Sequence, residues 1–375
     1  MRGAYRIFGG GRKAALQPPP GTVDFPQLPA QKSQMNKSPV ASLDEIRALL
    51  KRLPAEDTAS AKLATEREAQ LTKPAGSLGR LESLSAWLCA WQGRHPPRLD
   101  HPRVAVFAGN HGVAARGVSA FPATVTAQMV QNFTAGGAAI NQLCKVADAD
   151  LRVYEMALDQ PTADFTQAPA LSDEECARAM AYGMMAVEPG LDVICLGEMG
   201  IANTTSAAAL CLALFGGAAE DWVGPGTGVA GTALQQKKNV VTEGVARHRD
   251  SARDPLEILA RLGGREIAAI CGAVIAARMA RTPVLLDGFV STAAAAVLHA
   301  MDTHALDHCV VAHVSAEPGH GRLLARIAKP PLLNLNMRLG EASGAALGIG
   351  ILRAAVACHT GMATFAEAGV SGKSA

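Results

Sequence analysis

Four short apolar runs in this 375-residue chain end in polar groups suited to chemistry. RVAVFAG (103–109) is followed by Asn110 and His111, and DVICLGEMG (192–200) carries Glu198 close to its end. PVLLDG (283–288) carries Asp287, and CVVAHVS (309–315) stops at Ser315 with Glu317 just beyond. In LGEMGIANTTS (196–206), Glu198 precedes Asn203, Thr204, Thr205 and Ser206 at an expected helix start. Free backbone N–H groups and the helix dipole favour an anion there. An N-cap alone accounts for one of those four side chains. RLGEASG (338–344) sets Glu341 between glycines ahead of an apolar helix. A reactive carboxylate and a plain helix-start acid held by the dipole both fit that position.

Three Gly-rich or His-rich patterns point to less. GPGTG (224–228) is a turn whose backbone N–H groups can cradle a phosphate, with Lys237 and Lys238 downstream to add charge. A simple loop between helices fits the same spacing. GTGVAG (226–231) matches GxGxxG, but EDWVGP rather than a strand precedes it, which argues against a dinucleotide site. His313, Glu317 and His320 run from a strand through Pro318-Gly319 instead of sharing a helical face, so no metal site is expected. GVSGKS (369–374) lacks the spacing and the following helix of a P-loop.

The elements that must position these groups alternate. Runs at 103–109, 151–158, 192–200, 283–288 and 309–315 have strand length, and helical stretches such as 123–146, 173–187, 205–214 and 266–279 fall between them. Alternation of this kind predicts βαβ units with right-handed crossovers, hence an α/β fold with a doubly wound parallel sheet over residues 100–339. Ligands of open α/β sheets bind outside the carboxyl ends of the strands, so the polar run-ends should converge. Before the sheet, Ser42 and Glu45 have capping-box spacing ahead of a helix that Pro54 ends, and further helices are expected at 60–71 and 80–92. Residues 343–365 are helical again, which predicts a small helical lobe made of residues 39–99 and 340–375.

Composition narrows the class. The chain is 49% hydrophobic and 18% charged, which excludes a disordered protein. With 37 Gly, 21 Pro and 72 Ala it suits close-packed helices and tight turns. The 35 basic and 33 acidic residues form no basic stripe interleaved with aromatics, so no nucleic-acid partner is expected. Met199–Ala219 is uncharged over a length near the ~20 residues that span a bilayer. Its Asn-Thr-Thr-Ser start and Gly216-Gly217 end instead predict a polar turn leading into a buried helix, with no membrane association. Eight cysteines without a CxxC pair lie mostly in apolar runs and point to a reducing cytoplasm.

Residues 1–34 hold five basic residues and one acid, with GGG at 9–11 and PPP at 18–20. An Arg-rich start suits a transit peptide, but those triplets interrupt any amphipathic helix and Met35 offers another start. Residues 1–38 are therefore expected to be a disordered or mis-started extension. Without residues 1–34 the chain carries 30 basic against 32 acidic residues, so an anionic ligand must be held by local devices and not by a global field.

TKPAGSLGRLE (72–82), FAGNHGVAARGVSAFPATVTAQM (107–129), GGAAIN (136–141), LGEMGIANTT (196–205), GPGTG (224–228), LLDGF (285–289), SAEPGH (315–320) and LNMRLGEASGAAL (335–347) together resemble the nicotinate-nucleotide:dimethylbenzimidazole phosphoribosyltransferase family, over about residues 40–370. The resemblance implies transfer of 5-phosphoribose from nicotinate mononucleotide to 5,6-dimethylbenzimidazole, giving α-ribazole 5'-phosphate and nicotinate with inversion at the anomeric carbon, in cobalamin nucleotide-loop assembly. It also implies a Rossmann-like sheet, a homodimer and no cofactor. By carry-over Glu341 is the general base, and Glu198 belongs to the ribose and nicotinate neighbourhood. Gly200, Asn203, Thr204, Gly226, Thr227, Gly228, Lys237 and Ser315 hold phosphate and ribose, Ser119, Gln128 and Leu339 line the benzimidazole pocket, and Asp287 sits near the reacting groups. Nicotinate leaves as a neutral pyridine nitrogen, so the chemistry calls for neither a metal nor a strong acid, and positioning with charge complementarity should supply most of the rate. Two other classes stay open: an oxidoreductase, supported by GTGVAG alone, and a non-catalytic binder, in which Glu341 would be expected to be lost.

Overall fold

Five parallel strands form the centre of the computed structural model, which describes residues 42–371; the extension expected over 1–38 lies outside the described residues. The strands are β1 (Pro102–Ala108), β2 (Asp150–Glu155), β3 (Val193–Met199), β4 (Val284–Leu286) and β5 (Cys309–Val311), in the order β2-β1-β3-β4-β5. All five expected runs become strands, although the last two keep only three residues each. β1 is buried along its whole length, as the continuous PRVAVFA run requires of a strand covered on both faces. The direction of winding reverses between β1 and β3, which opens a crevice at their carboxyl ends.

Helices α1 (Leu43–Leu50), α2 (Thr58–Glu68) and α3 (Arg80–Gln92) precede the sheet. α4 (Thr124–Ala135) and α5 (Ala139–Ala147) join β1 to β2, and α6 (Asp173–Met184) joins β2 to β3. α7 (Asn203–Phe215), α8 (Gly231–His248), α9 (Pro255–Leu262) and α10 (Arg265–Met279) lie between β3 and β4, and α11 (Phe289–Met301) leads to β5. α12 (Pro318–Arg326), α13 (Ser343–Gly361) and α14 (Phe365–Ala368) complete the order. The Ser42–Glu45 capping box forms as its spacing predicts, but α1 ends at Leu50, ahead of Pro54. The single helix expected over 123–146 is two, because Gly136 takes φ +78° at the end of α4. A Cβ on Gly137 would meet Asn132 Oδ1 at 2.3 Å.

Side-chain alternation along the strands builds two cores. Ala105, Phe107, Ile194, Leu196, Val284 and Leu286 face one layer, which includes α6, α7, α10 and α11. Val104, Val106, Val193, Cys195, Leu285 and Ala312 face the other, where α3, α5 and α13 pack. α7 carries the fully buried run Ala207–Cys211 within the stretch read as a buried helix. Among the described residues α13 alone is long and apolar enough to cross a membrane, and its Ala345, Ala346, Ile349, Leu352 and Ala355 are spent on covering the sheet.

The terminal helices are tied to one another. Arg67 Nε donates to the His359 carbonyl at 2.7 Å, His359 Nδ1 meets Glu68 Oε1 at 2.7 Å, and Ser85 Oγ donates to the Ala355 carbonyl at 3.1 Å. In the TKPAGSLGRLE segment, Lys73 Nζ bridges Glu68 Oε2 at 3.1 Å and Glu82 Oε1 at 2.8 Å, so this block serves the fold.

The tightest helix crossing joins α6 and α10. A Cβ on Gly183 would stand 1.9 Å from the Ala269 carbonyl oxygen, and one on Gly272 1.8 Å from that of Met180. Only glycine permits this backbone contact. Gly272→Ala should therefore lower the unfolding free energy by about 1–3 kcal/mol or more, as overpacking does. Thermal denaturation within a degree of the parent would show that the two helices separate without cost.

Candidate active site

Two helix starts face each other at the end of β3. α7 begins after Ala202 at φ +76°, and α13 begins after Glu341 and Ala342 at φ +61° and +62°, a region that L-residues seldom adopt. The turn before α13 lies directly on β3. A Cβ on Gly197 would be 2.1 Å from Ala342 N, and the Glu341 N–H donates to the Glu198 carbonyl at 3.1 Å. Glu198 and Glu341 are thus fixed backbone to backbone.

Neither helix start has a side-chain cap from its own N-cap residue. For α13 the cap comes from the residue after β4: Asp287 Oδ1 accepts from the Gly344 N–H at 2.8 Å and the Ala345 N–H at 3.0 Å. Asp287 is fully buried and stands 3.5 Å from His313 Nε2, so it anchors the helix that follows Glu341.

Burial raises Glu198 and Glu341. It pushes the Glu198 carboxyl up to about 8, opposed by the Asn203 amide that hydrogen-bonds Oε2 and reinforced by Glu266, Asp287 and Glu341. Burial likewise raises Glu341, against the pull of the Ile140 N–H and with a contribution from Asp287. Glu341 Oε2 is buried without a hydrogen-bond partner.

The second half of the site surrounds the 224–228 turn. Lys237, on α8, is 1% exposed, and its Nζ donates to Thr204 Oγ1 at 2.8 Å and to the Gly224 carbonyl at 2.9 Å. Burial lowers its ammonium to about 8, with Glu317 opposing. Gly226, at φ +52°, must be glycine, since a Cβ there would lie 2.6 Å from Thr204 Oγ1 and 2.8 Å from Lys237 Nζ. Its N–H donates to Glu317 Oε1 at 2.9 Å. Gly228, at φ +117°, donates its N–H to the Pro225 carbonyl and closes the turn. Thr227 Oγ1 accepts from the Ala120 N–H at 3.0 Å and meets Ser119 Oγ at 2.9 Å. The Ser315 N–H donates to His320 Nδ1 at 2.8 Å, so the neutral ring, held near 3 by burial, gives its Nε2 proton to Thr292 Oγ1.

A cleft of about 270 Å³ joins the two halves. Glu198, Gly200, Asn203, Thr204, Gly226, Thr227, Ser315 and Leu339 line it. Ser119 reaches it through Thr227, Lys237 stands behind Thr204, and Glu341 adjoins the lining residue Gly340. Asp287 lies deeper, and Gln128 is exposed on α4 outside the lining. The GTGVAG segment follows the 3₁₀ turn Ala219–Asp221, so it has no strand ahead of it. Among the described residues no group of three or more His, Cys, Asp or Glu is arranged to hold a metal ion.

Arg338 and Glu266 were not among the expected site residues. Arg338 lines the cleft mouth and donates from a guanidinium nitrogen to the Gly226 carbonyl at 2.7 Å. Its place in the RLGEASG block was the available signal. Glu266 pairs with His111, and nothing in the sequence marks it apart from an ordinary helix-start acid.

A phosphoribosyltransferase family model matches residues 53–370. The nicotinate-nucleotide–dimethylbenzimidazole phosphoribosyltransferase of Sinorhizobium medicae is 60% identical over 330 residues, covering 88% of this chain and 97% of its own, and that of Rhizobium meliloti is 59% identical with the same coverage. The crystal structure of CobT from Thermus thermophilus superposes with a TM-score of 0.79 at 41% identity, over 84% of this chain and 99% of that one.

The raised Glu198 carboxyl has a measurable consequence for stability. Between its ordinary value of 4.5 and about 8 the folded state holds a proton that the unfolded chain has released, so the contribution of Glu198 to stability falls as pH rises through that window. Glu198→Gln removes this pH dependence. Its melting temperature relative to the parent should rise by at least about 2 °C from pH 5 to pH 8.5, and a difference that stays flat with pH would contradict the burial argument.

Proposed function

The chain belongs to the nicotinate-nucleotide–dimethylbenzimidazole phosphoribosyltransferase family, a family of pentosyltransferases, and on that premise we propose that it transfers 5-phosphoribose from nicotinate mononucleotide to 5,6-dimethylbenzimidazole in cobalamin nucleotide-loop assembly. Glu341 is the general base. One benzimidazole nitrogen attacks the anomeric carbon as Glu341 takes the proton from the other, and the bond to nicotinate breaks with its electron pair going to the pyridine nitrogen. Attack from the face opposite the leaving group inverts β to α and gives α-ribazole 5'-phosphate. The observation that carries this reading is the Glu341 carboxylate, buried with one oxygen unpartnered and locked to Glu198 at the cleft wall. A base needs such a free oxygen and a raised affinity for the proton.

The charge layout supports the same step. The glycosyl bond of the donor carries positive charge that spreads to the ribose as it breaks, and Glu341 and Asp287 place acidic groups on that side of the site. The phosphate belongs on the other side, at the GPGTG turn, the α7 start and Ser315. Lys237 uses two of its three donors on Thr204 and Gly224, so it orients Thr204 and supplies charge from behind the turn. Ser119 and Leu339 suit the base pocket. The same reading makes the protein a cytoplasmic homodimer, supported by the family resemblance and by eight unpaired cysteines, seven of them buried.

Incubation with nicotinate mononucleotide and dimethylbenzimidazole should release nicotinate, and Glu341→Gln should lower turnover by about 10²-fold or more while nucleotide binding persists. Turnover near that of the parent would remove Glu341 as the base. Lys237→Ala should raise KM for the nucleotide more than it lowers kcat. In the parent, nucleotide affinity should decline above pH 8 as the ammonium loses its proton. A fall in kcat alone would instead put Lys237 in the transition state.

A further inference from the structure

Beneath the cleft lies a second polar cluster that the proposed reaction leaves without a task. His111, which follows β1, sets Nε2 2.5 Å from Glu266 Oε1 and Nδ1 3.1 Å from Ser206 Oγ. Serine, histidine and carboxylate in this order form a nucleophilic triad where the hydroxyl is reachable. Ser206 and Glu266 have no exposed surface and His111 is 2% exposed, so no substrate reaches the hydroxyl. An ionised carboxylate only accepts, which puts a His111 proton on Nε2, towards Glu266.

Glu266 Oε2 is buried without any partner, a costly condition for a carboxylate oxygen. Three glycines make room for it. A Cβ on Gly109 would lie 2.2 Å from Oε2, one on Gly264 2.8 Å from Oε2, and one on Gly200 3.2 Å from Oε1. Gly200 lines the cleft, and the same Cβ position is 3.1 Å from Asn203 Nδ2, the amide that hydrogen-bonds Glu198. Glu266 therefore stands across one glycine from the Asn203–Glu198 pair. Asn203 occupies Glu198 Oε2, while Oε1 faces the Gly340 wall of the cleft, 2.7 Å from the Cβ position there. A proton on Glu198 sits on Oε1 and can be donated into the cleft.

We propose that Glu266, held by His111 and Ser206, is a positioning residue of the transfer reaction: its carboxylate under Gly109 and Gly200 favours retention of a proton by Glu198, while the Asn203 amide on Oε2 leaves that proton on the cleft side and holds the pair towards the ribose. The inference rests on the reading of the cleft given above. The other groups that face Glu198 are Asp287 from the end of β4 and Glu341 from the turn before α13, and both are unchanged by substitution at Glu266. Glu266 itself faces His111 from the end of β1 and Ser206, through His111, from α7.

The test follows the Glu198 carboxyl directly, by 13C NMR titration of glutamate-labelled protein assigned with Glu198→Gln, alongside the pH profile of kcat/KM. Glu266→Gln should move the Glu198 titration to lower pH by about half a unit or more, since it removes a neighbouring negative charge. The alkaline limb of the profile should move with it, and Glu266→Asp should restore part of the shift. An unmoved titration in folded Glu266→Gln, or a lower melting temperature with an unchanged titration, overturns the proposal. If Glu266→Gln does not fold, Glu266→Asp carries the same readout, with a smaller shift in the same direction expected and no shift overturning it. The titration needs no substrate, so failure to release nicotinate counts against the cleft reading and leaves the coupling measured.

Discussion

Carboxylates buried at the carboxyl edge of one parallel sheet are the constraint around which the molecule is arranged, four of them grouped around β3. Glu198, Glu266, Asp287 and Glu341 come from β3, the start of α10, the end of β4 and the turn before α13, and each is at most 8% exposed. Acids in an apolar interior are tolerated only where something holds or neutralises them. The fold answers differently for each. Asp287 receives two N–H groups of α13, Glu266 receives a histidine, and Glu198 receives the Asn203 amide and a raised proton affinity. Glu266, Asp287 and Glu341 each keep one buried oxygen with no hydrogen-bond partner.

Those attachments explain the backbone around them. Gly197 admits the 340–342 turn onto β3, Gly109, Gly200 and Gly264 admit the Glu266 carboxylate, and Ala202, Glu341 and Ala342 accept left-handed conformations at two helix starts. Strain of this kind persists only where the surroundings over-determine it. Here the Asp287 cap and the Glu341–Glu198 backbone bond do so.

The half of the cleft proposed for the phosphate is built by other means. A near-neutral chain has no long-range field with which to draw in a phosphate. It has instead a tight glycine turn, a helix start, one lysine sealed behind Thr204 and one arginine at the cleft mouth. On the proposed reading the cleft offers donors and cations around the 224–228 turn and acidic groups near Glu341, an arrangement suited to a donor that is anionic at one end and cationic at its glycosyl bond.

Much of this was legible in the chain. All five strands, their parallel pairing and the convergence of Glu198, Ser315 and Glu317 on one cleft follow from apolar runs that end in polar residues, because a doubly wound sheet brings strand ends together whatever the detail of its helices, while Asn203, Thr204 and Gly226 were marked by a helix start and a glycine turn. Local signals also placed the α1 capping box and α3. What the chain could not disclose were relationships across long separations. The division of 123–146 into two helices was written in Gly136-Gly137, but the roles of Asp287 as the cap of α13, of Lys237 as a buried brace and of Glu266 as the partner of His111 depend on contacts between residues far apart in sequence. A carboxylate's type is fixed by its codon. Whether it is solvated, capped or left with a free oxygen is set by what the folded neighbours bring to it, and only the tertiary structure decides that.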